Sequence, residues 1–140
     1  MKRLFTILVF IAFYHGASGQ FSAGAGLSVV TGDADAFGLQ GRVMYAFNDD
    51  FTGNVGYNYY FNDIKSVIDV DLQYTLLETD GGFKLNPMAG IRVLTQGKVD
   101  TDLQLGLFTV IPIGGYQFYI EPKFVISDSD AFIVNVGFRF

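Results

Sequence analysis

The chain has 140 residues, half of them hydrophobic, with 17 glycines, 15 phenylalanines, 8 tyrosines and no cysteine. This length allows one domain, and the lack of cysteine excludes a disulfide scaffold, a thiolate metal site and a lipid-modified N-terminal cysteine. The formal net charge of −5 argues against nucleic acid as a partner.

The N-terminal segment has the pattern of a secretory signal peptide. Basic residues at positions 2–3 precede an apolar stretch at 4–14, and small residues follow at 17–19. The apolar stretch is too short for a membrane-spanning helix, which needs about 20 residues. We therefore predict a signal peptide over residues 1–19 and a single domain over residues 20–140. Its removal leaves seven basic and fourteen acidic residues in the mature chain.

The clearest pattern in the mature chain lies at residues 41–61, GRVMYAFNDDFTGNVGYNYYF. Every second residue is apolar or aromatic and those between are small or polar, which is the period of a β-strand. Turn-forming Asn48-Asp49-Asp50 interrupts the alternation, so this stretch predicts a hairpin. The mature chain contains eight such runs, at residues 21–30, 37–47, 51–61, 67–76, 83–94, 103–111, 116–126 and 131–140.

The connectors between the runs alternate between tight turns and slightly longer loops. Tight turns are predicted at residues 48–50, 78–82 and 112–115, and the longer loops at 31–36, 62–66, 95–102 and 127–130. Pro87 and Pro122 fall inside runs, where a missing N–H interrupts strand pairing. We interpret both as β-bulges, with a broken strand as the alternative.

The two faces of the runs differ in charge. The polar face carries Arg42, Asp69, Asp71, Lys84, Arg92, Glu121, Lys123 and Arg139, and the other face is apolar, with aromatic residues near both strand ends. Such aromatic girdles are typical of transmembrane barrels, and only helices or closed barrels satisfy their backbone groups in lipid. The predicted fold is all-β, an eight-stranded antiparallel up-and-down transmembrane β-barrel with its apolar face outward.

The signal peptide, the hairpin at residues 41–61 and the terminal VGFRF resemble the small OmpA/OmpX-type outer-membrane β-barrel superfamily. The resemblance implies Sec-type export to the outer membrane of a Gram-negative bacterium, with both termini and the tight turns in the periplasm. It also implies that Phe138 and Phe140 form the C-terminal signal recognised by the barrel-assembly machinery. Gln20 at the mature N-terminus resembles secreted proteins of Bacteroidetes. The expected partners are outer-membrane lipid and lipopolysaccharide, and the expected state is a monomer.

The mature chain lacks the residues of the common catalytic sites. Its only histidine, His15, lies in the predicted signal peptide, and cysteine is absent. This excludes Ser–His hydrolases and cysteine nucleophiles, including the lipid A deacylases and acyltransferases that use Ser/His barrels. Zinc and copper sites are disfavoured for the same reason. We predict that the protein is not an enzyme and holds no cofactor or metal.

Two carboxylates share one strand face and allow two interpretations. Asp69 and Asp71 could form an acid–base pair or a cation site, but matched strand faces set Asp69 opposite Arg92, with Asp71 beside it. Because an unpaired charge inside a narrow barrel costs several kcal/mol, an ion-pair network is favoured. The predicted lumen ion-pair network thus comprises Arg42, Asp69, Asp71, Lys84, Arg92, Glu121, Lys123 and Arg139.

The loop acids also allow two interpretations. The pairs Asp33/Asp35 and Asp128/Asp130 could bind Ca²⁺ or cations that bridge to lipopolysaccharide, but they lack the other ligands of an EF-hand. Solvated loop charge is favoured, since acidic surface residues are common.

The functional prediction is an integral outer-membrane barrel with a structural role in membrane integrity and a polar, salt-bridged lumen. One alternative is a narrow porin-like channel for small solutes or ions, although eight strands leave little space inside. A second alternative is a soluble secreted ligand-binding barrel, whose apolar face would point inward.

Overall fold

A computed structural model describes residues 21–32, 35–61, 65–95, 99–127 and 130–140. The predicted signal peptide and Gln20 lie outside these residues, as do Asp33, Asp128 and parts of the longer loops. The strands are β1 (Phe21–Gly32), β2 (Ala36–Ala46), β3 (Phe51–Tyr60), β4 (Lys65–Tyr74), β5 (Leu77–Glu78), β6 (Lys84–Leu94), β7 (Asp100–Ile113), β8 (Tyr116–Ile126) and β9 (Ala131–Arg139). Among the described residues, no helix is long and apolar enough to cross a membrane.

The strands form one closed antiparallel sheet. The long strands pair with their neighbours in sequence, β9 returns to pair with β1, and both β4 and the short β5 pair with β6. β5 continues β4 along β6, so the two together count as one strand of the barrel. The barrel therefore has eight strands. The structure therefore confirms the predicted eight-stranded up-and-down barrel.

The predicted hairpin joins β2 to β3, with Val43 directly opposite Val55. Its turn is held by the side chain of Asn48, whose Oδ1 accepts hydrogen bonds from the backbone N–H groups of Asp50 at 2.8 Å and Phe51 at 2.9 Å. At another turn, Gly114 and Gly115 join β7 to β8 with φ values of 56° and 85°. Two positive φ angles in a two-residue hairpin are those of a type I′ turn, which explains the glycine pair.

The prolines disturb the sheet differently from the predicted bulges. β6 pairs with β7 through Pro87 without interruption. On the other side of β6, the segment that runs from β4 into β5 has three residues between Gln73 and Leu77. β6 has only two residues between their partners, Met88 and Leu85. The bulge is thus in the neighbouring strand, opposite Pro87.

Pro122 produces no bulge and no broken strand. β8 pairs with β9 continuously through Pro122. On the β7 side, pairing lapses after Gly106↔Lys123 and resumes at Thr109↔Ile120 in the same register. The missing N–H of proline removes local ladder bonds without adding a residue, so the predicted bulge at Pro122 is wrong.

The apolar face of the barrel points outward. Val43, Val55 and Leu105, in the middle of their strands, each leave about half of their side chain exposed (53%, 54% and 51%). The buried polar residues are Ser28, Gln40, Arg42, Asn54, Asn58, Asp69, Asp71, Gln73, Asn86, Arg92, Gln104, Glu121, Lys123 and Asn135. The soluble ligand-binding alternative required the opposite arrangement and is therefore wrong.

Aromatic residues collect at both ends of the outer surface. At the turn end, which carries the tight turns, Phe21 lies 4.8 Å from Tyr45 between ring centroids. At the opposite loop end, Phe37 lies 5.9 Å from Phe61. The last described residue is at the turn end, where the backbone groups of Phe140 and Ala23 exchange two hydrogen bonds. The two ends of the described chain therefore meet at the turn end.

The seam between β1 and β9 depends on two facing glycines, Gly26 and Gly137. A Cβ added at Gly137 would lie 2.3 Å from the backbone oxygen of Ala25 and 2.7 Å from the hydroxyl of Tyr119. We expect Gly137→Ala to destabilise the barrel by about 1–3 kcal/mol, the range for overpacking. Urea unfolding in detergent micelles, followed by circular dichroism, measures this.

Gly41→Ala is the matched control, because a Cβ at Gly41 would meet no atom within 4 Å among the described residues. Its effect is expected to be close to zero or slightly stabilising. Equal effects of the two substitutions would contradict the close approach of β1 and β9.

Candidate functional site in the barrel interior

The interior holds a cluster of charged side chains, of which the first pair is Arg42 and Glu121. Arg42 reaches from β2 across the barrel to Glu121 on β8, and both guanidinium Nη atoms donate to the carboxylate at 2.6 Å. Asn135 Nδ2 donates to the same carboxylate at 2.7 Å. The planar fork of arginine matches a carboxylate in this bidentate geometry, so the pair links opposite walls of the barrel.

Lys123 is the centre of the cluster. Its Nζ lies 3.2 Å from Asp69, 3.3 Å from Asp71 and 3.2 Å from Glu121, each distance measured to a carboxylate oxygen. All four side chains are buried. One ammonium group therefore joins carboxylates on β4 and β8.

Arg92 completes the cluster on β6. It lies opposite Asp69 in the register, as the sequence predicts, with Nε 3.5 Å from Asp69 Oδ1. Its Nη2 donates to the hydroxyl of Tyr60 at 2.6 Å, and Asn58 Nδ2 donates to Asp69 at 2.6 Å. Arg92 and Asp69 are thus each held by a charged partner and by a neutral hydrogen-bonding group.

Asp71 lies two residues from Asp69 on β4, beside the Asp69–Arg92 pair, and its ion-pair partner is Lys123. Its carboxylate accepts hydrogen bonds from Gln104 Nε2 at 2.6 Å and from Asn54 Nδ2 at 3.2 Å, in addition to its pairing with Lys123. These contacts come from β7, β3 and β8. The partner of Asp71 is therefore a lysine across the barrel and not the arginine of the adjacent strand.

We call Arg42, Arg92, Lys123, Asp69, Asp71 and Glu121 the central ionic cluster. Its three cations and three anions balance. Each carboxylate is committed to at least one cation, which does not suit an acid–base pair or an open cation site. The described residues contain no group of three or more His, Cys, Asp or Glu placed to hold a metal ion.

Lys84 and Arg139 lie outside the central ionic cluster, although the prediction grouped them with it. Lys84 Nζ lies 3.2 Å from Glu78 at the turn end, with both side chains partly exposed. Arg139 donates from Nε to Ser22 Oγ at 3.3 Å. Both residues sit at the end of the lumen because their strands begin or end there.

Solved structures with a similar fold include outer-membrane proteins and designed transmembrane barrels. The N-terminal β-barrel domain of Pseudomonas aeruginosa OprF matches with a TM-score of 0.61 and 16% identity, covering 85% of this chain and 97% of that one. The outer membrane enzyme PagL matches with a TM-score of 0.61 and 9% identity, covering 86% and 98%. OprG from Pseudomonas aeruginosa matches with a TM-score of 0.59 and 10% identity, covering 86% and 95%. The chain has the fold of the small eight-stranded outer-membrane β-barrels.

This likeness confirms the predicted resemblance at the level of fold. No family model and no curated protein matches the sequence, so the function rests on the residues themselves. Because PagL is an enzyme with this fold, the fold of a small outer-membrane barrel does not decide whether a chain is catalytic.

Inside the barrel, an apolar layer separates the central ionic cluster from the turn end. It consists of Met44, Met88, Phe108, Val110 and Tyr119, all buried and in mutual contact. The rings of Phe108 and Tyr119 stack at 5.4 Å, and the guanidinium of Arg42 lies over both of them, 5.1 Å and 4.6 Å from their centroids. Cation–π contact of this kind joins the apolar layer to the ionic cluster.

Apolar side chains are also buried on the loop-end side of the cluster. Val67, Val125 and Ile133 are buried there, near Tyr60, whose hydroxyl lies 2.8 Å from Ser28 Oγ. The alternation alone did not predict either group. Phe108 and Val110 depart from the alternation of β7 because they are apolar residues on the inward face.

Proposed function

We propose that the protein is an integral outer-membrane β-barrel with a structural role, whose interior is a packed core and not a passage. The main support is the inverted polarity of the barrel, which has apolar side chains outside and a charge-balanced ionic cluster inside. An outward apolar face is stable only against lipid. A paired and hydrogen-bonded interior fixes which strands face one another across the lumen.

The interior contacts support the structural role over the channel alternative. A channel needs a continuous polar path, and the described residues place buried apolar side chains on both sides of the central ionic cluster. Arg42 and Glu121 also span the lumen directly. Eight-stranded barrels have interiors just wide enough for side chains to fill, which agrees with this packing.

A planar lipid bilayer distinguishes the two functions. We expect the purified protein to insert without producing steady unitary conductance, because no ion can pass the layer around Phe108 without displacing it. A porin added afterwards to the same bilayer verifies that channels are detectable. Reproducible unitary steps from this protein alone would contradict the packed core and favour the narrow channel.

The proposed location is the outer membrane of a Gram-negative bacterium, with the turn end in the periplasm. Phe138 and Phe140 lie outward at that end, where the barrel-assembly machinery would recognise them. The surrounding partners would be outer-membrane lipid and lipopolysaccharide, and the protein would act as a monomer. With neither histidine nor cysteine after residue 15, we propose no catalytic activity.

A further inference from the structure

A groove of about 930 Å³ lies on the outer surface of the barrel. We call it the outer groove. The outward residues that line it are Phe21, Val43, Tyr45, Phe47, Gly53, Val55, Val70, Leu72, Ala89 and Ile91. Asn54, Asp71 and Gly90 alternate with them along the strands and also border the groove, but the side chains of Asn54 and Asp71 are buried inside the barrel. The side chains that the groove presents are therefore apolar.

Small residues form the recesses of the outer groove. Gly53 lies between Tyr45 and Leu72 across the sheet, and Ala89 lies on the other side of Leu72. Because glycine has no side chain and alanine has only a methyl group, the surface is recessed at both positions beside their larger neighbours. The ring of Phe47 borders the first recess, since a Cβ added at Gly53 would lie 3.0 Å from its Cε2 atom.

A row of aromatic rings borders the outer groove at the turn end. The ring of Tyr45 lies 4.8 Å from that of Phe21 and 5.2 Å from that of Phe47, measured between centroids. Aromatic girdles lie where the hydrocarbon of a membrane meets the polar headgroups. The groove extends from this row to Val43 and Val55, in the middle of their strands. It therefore spans the depth of one lipid leaflet.

The shape of the outer groove suits an acyl chain. A chain in a groove contacts protein atoms on several sides, whereas a chain on a convex wall contacts them on one side. Dispersion contacts are individually weak but add along the chain. In lipid, where burial from water drives no association, such packing decides which groups associate. The volume is also within the 300–1,000 Å³ of small-molecule sites.

The charges beside the aromatic row favour one type of headgroup. Phe47 is followed by Asp49 and Asp50, both exposed in the turn between β2 and β3. Among the described residues, acids outnumber bases at the turn end, which carries Asp49, Asp50, Glu78, Asp80, Lys84 and Arg139. Lys84 is moreover paired with Glu78. An ammonium group is attracted to such a rim, and a purely anionic headgroup is repelled.

We propose that the outer groove holds the acyl chain of a phospholipid whose headgroup carries an ammonium group, as in phosphatidylethanolamine. The chain lies over Gly53 and Ala89, and the ammonium group lies beside Asp49 and Asp50. This inference rests on the proposed location of the barrel in a membrane. It adds that one lipid molecule is held at a defined site and exchanges more slowly than the surrounding lipid.

Native mass spectrometry of the protein in detergent micelles tests the proposal. Equal amounts of phosphatidylethanolamine and phosphatidylglycerol with identical acyl chains are added. We expect one retained lipid per barrel, with a preference of about two- to fivefold for phosphatidylethanolamine, as for exposed ionic contacts. Asp49→Asn combined with Asp50→Asn should abolish this preference, since it leaves Asn48, whose side chain holds the turn, unchanged.

Gly53→Leu fills the first recess and is expected to lower lipid retention by about threefold or more. Ala89→Leu fills the second recess and tests the groove independently of how Gly53→Leu folds. Gly41→Leu is the matched control, because Gly41 faces outward but does not line the groove. Among the described residues, a Cβ added at Gly41 would meet no atom within 4 Å, so lipid retention should stay unchanged.

Cold and boiled gel mobility verifies that each variant is folded, which distinguishes failure of the barrel from failure of the lipid site. Equal retention by the folded groove variants and by Gly41→Leu would overturn the proposal, as would equal retention of the two lipids by the unchanged protein. A dimer signal that Gly53→Leu abolishes would also overturn it, since the groove would then bind a second copy of the chain.

Discussion

Replacing Lys123 with methionine is expected to lower the free energy of unfolding by about 3–5 kcal/mol, the cost of breaking a buried ion pair by removing one partner. Methionine keeps the length of the side chain but removes the charge. Asp69, Asp71 and Glu121 would then face one another with only two arginines to balance them. Urea unfolding in detergent micelles measures the change.

Lys84→Met is the matched control, because it makes the same substitution at a lysine outside the central ionic cluster. The Lys84–Glu78 pair is partly exposed, and such pairs contribute about 0–1 kcal/mol. A second variant, Lys123→Met with Asp71→Asn, restores the charge balance and should recover part of the loss. Equal effects at Lys123 and Lys84 would mean that the central cluster does not stabilise the barrel.

Leu105→Arg is expected to destabilise the lipid-embedded barrel by about 2–4 kcal/mol, the cost of an arginine facing lipid near the bilayer midplane. Leu105 lies in the middle of β7 between Ala89 and Phe124, with its side chain about half exposed. At an exposed position of a water-soluble protein the same substitution would change stability by less than about 0.5 kcal/mol. Urea unfolding from lipid vesicles measures it.

Ile113→Arg provides the comparison at the end of the same strand. Ile113 is also exposed but lies beside the turn at Gly114, where the cost of arginine falls to about 0–1 kcal/mol. Because both substitutions introduce arginine on the outward face of the same strand, a larger loss of stability at Leu105 than at Ile113 reflects the depth of the side chain in the membrane. If both variants unfold like the unchanged protein, the outward face is not in contact with lipid.

The strands and their pairing could be predicted because period-two alternation is strong in nearly every run, with Phe108 and Val110 in β7 as the exception. Each predicted run overlaps one long strand, and the register that sets Asp69 opposite Arg92 follows from matching faces across the turn between β4 and β6. A one-residue slip would turn every side chain of a strand to the other face. The pattern therefore determines the adjacent partners.

Contacts across the lumen could not be predicted in this way. The pairing of Arg42 with Glu121, and of Lys123 with Asp69 and Asp71, joins strands that are not neighbours. These contacts depend on the tilt and diameter of the closed barrel, which alternation does not encode. Alternation shows which face of a strand a residue lies on, but not how far along the barrel axis it lies. Lys84 and Arg139 were therefore predicted to belong to the cluster.

The central claim is a closed barrel whose apolar face lies in the outer membrane, and band mobility on SDS gels tests it most directly. The detergent-extracted protein is run with and without boiling, after separation of the cell into soluble and outer-membrane fractions. We expect the protein in the outer-membrane fraction, with a band that shifts on boiling because the closed barrel stays folded in cold SDS. A protein in the soluble fraction whose band does not shift would contradict the account.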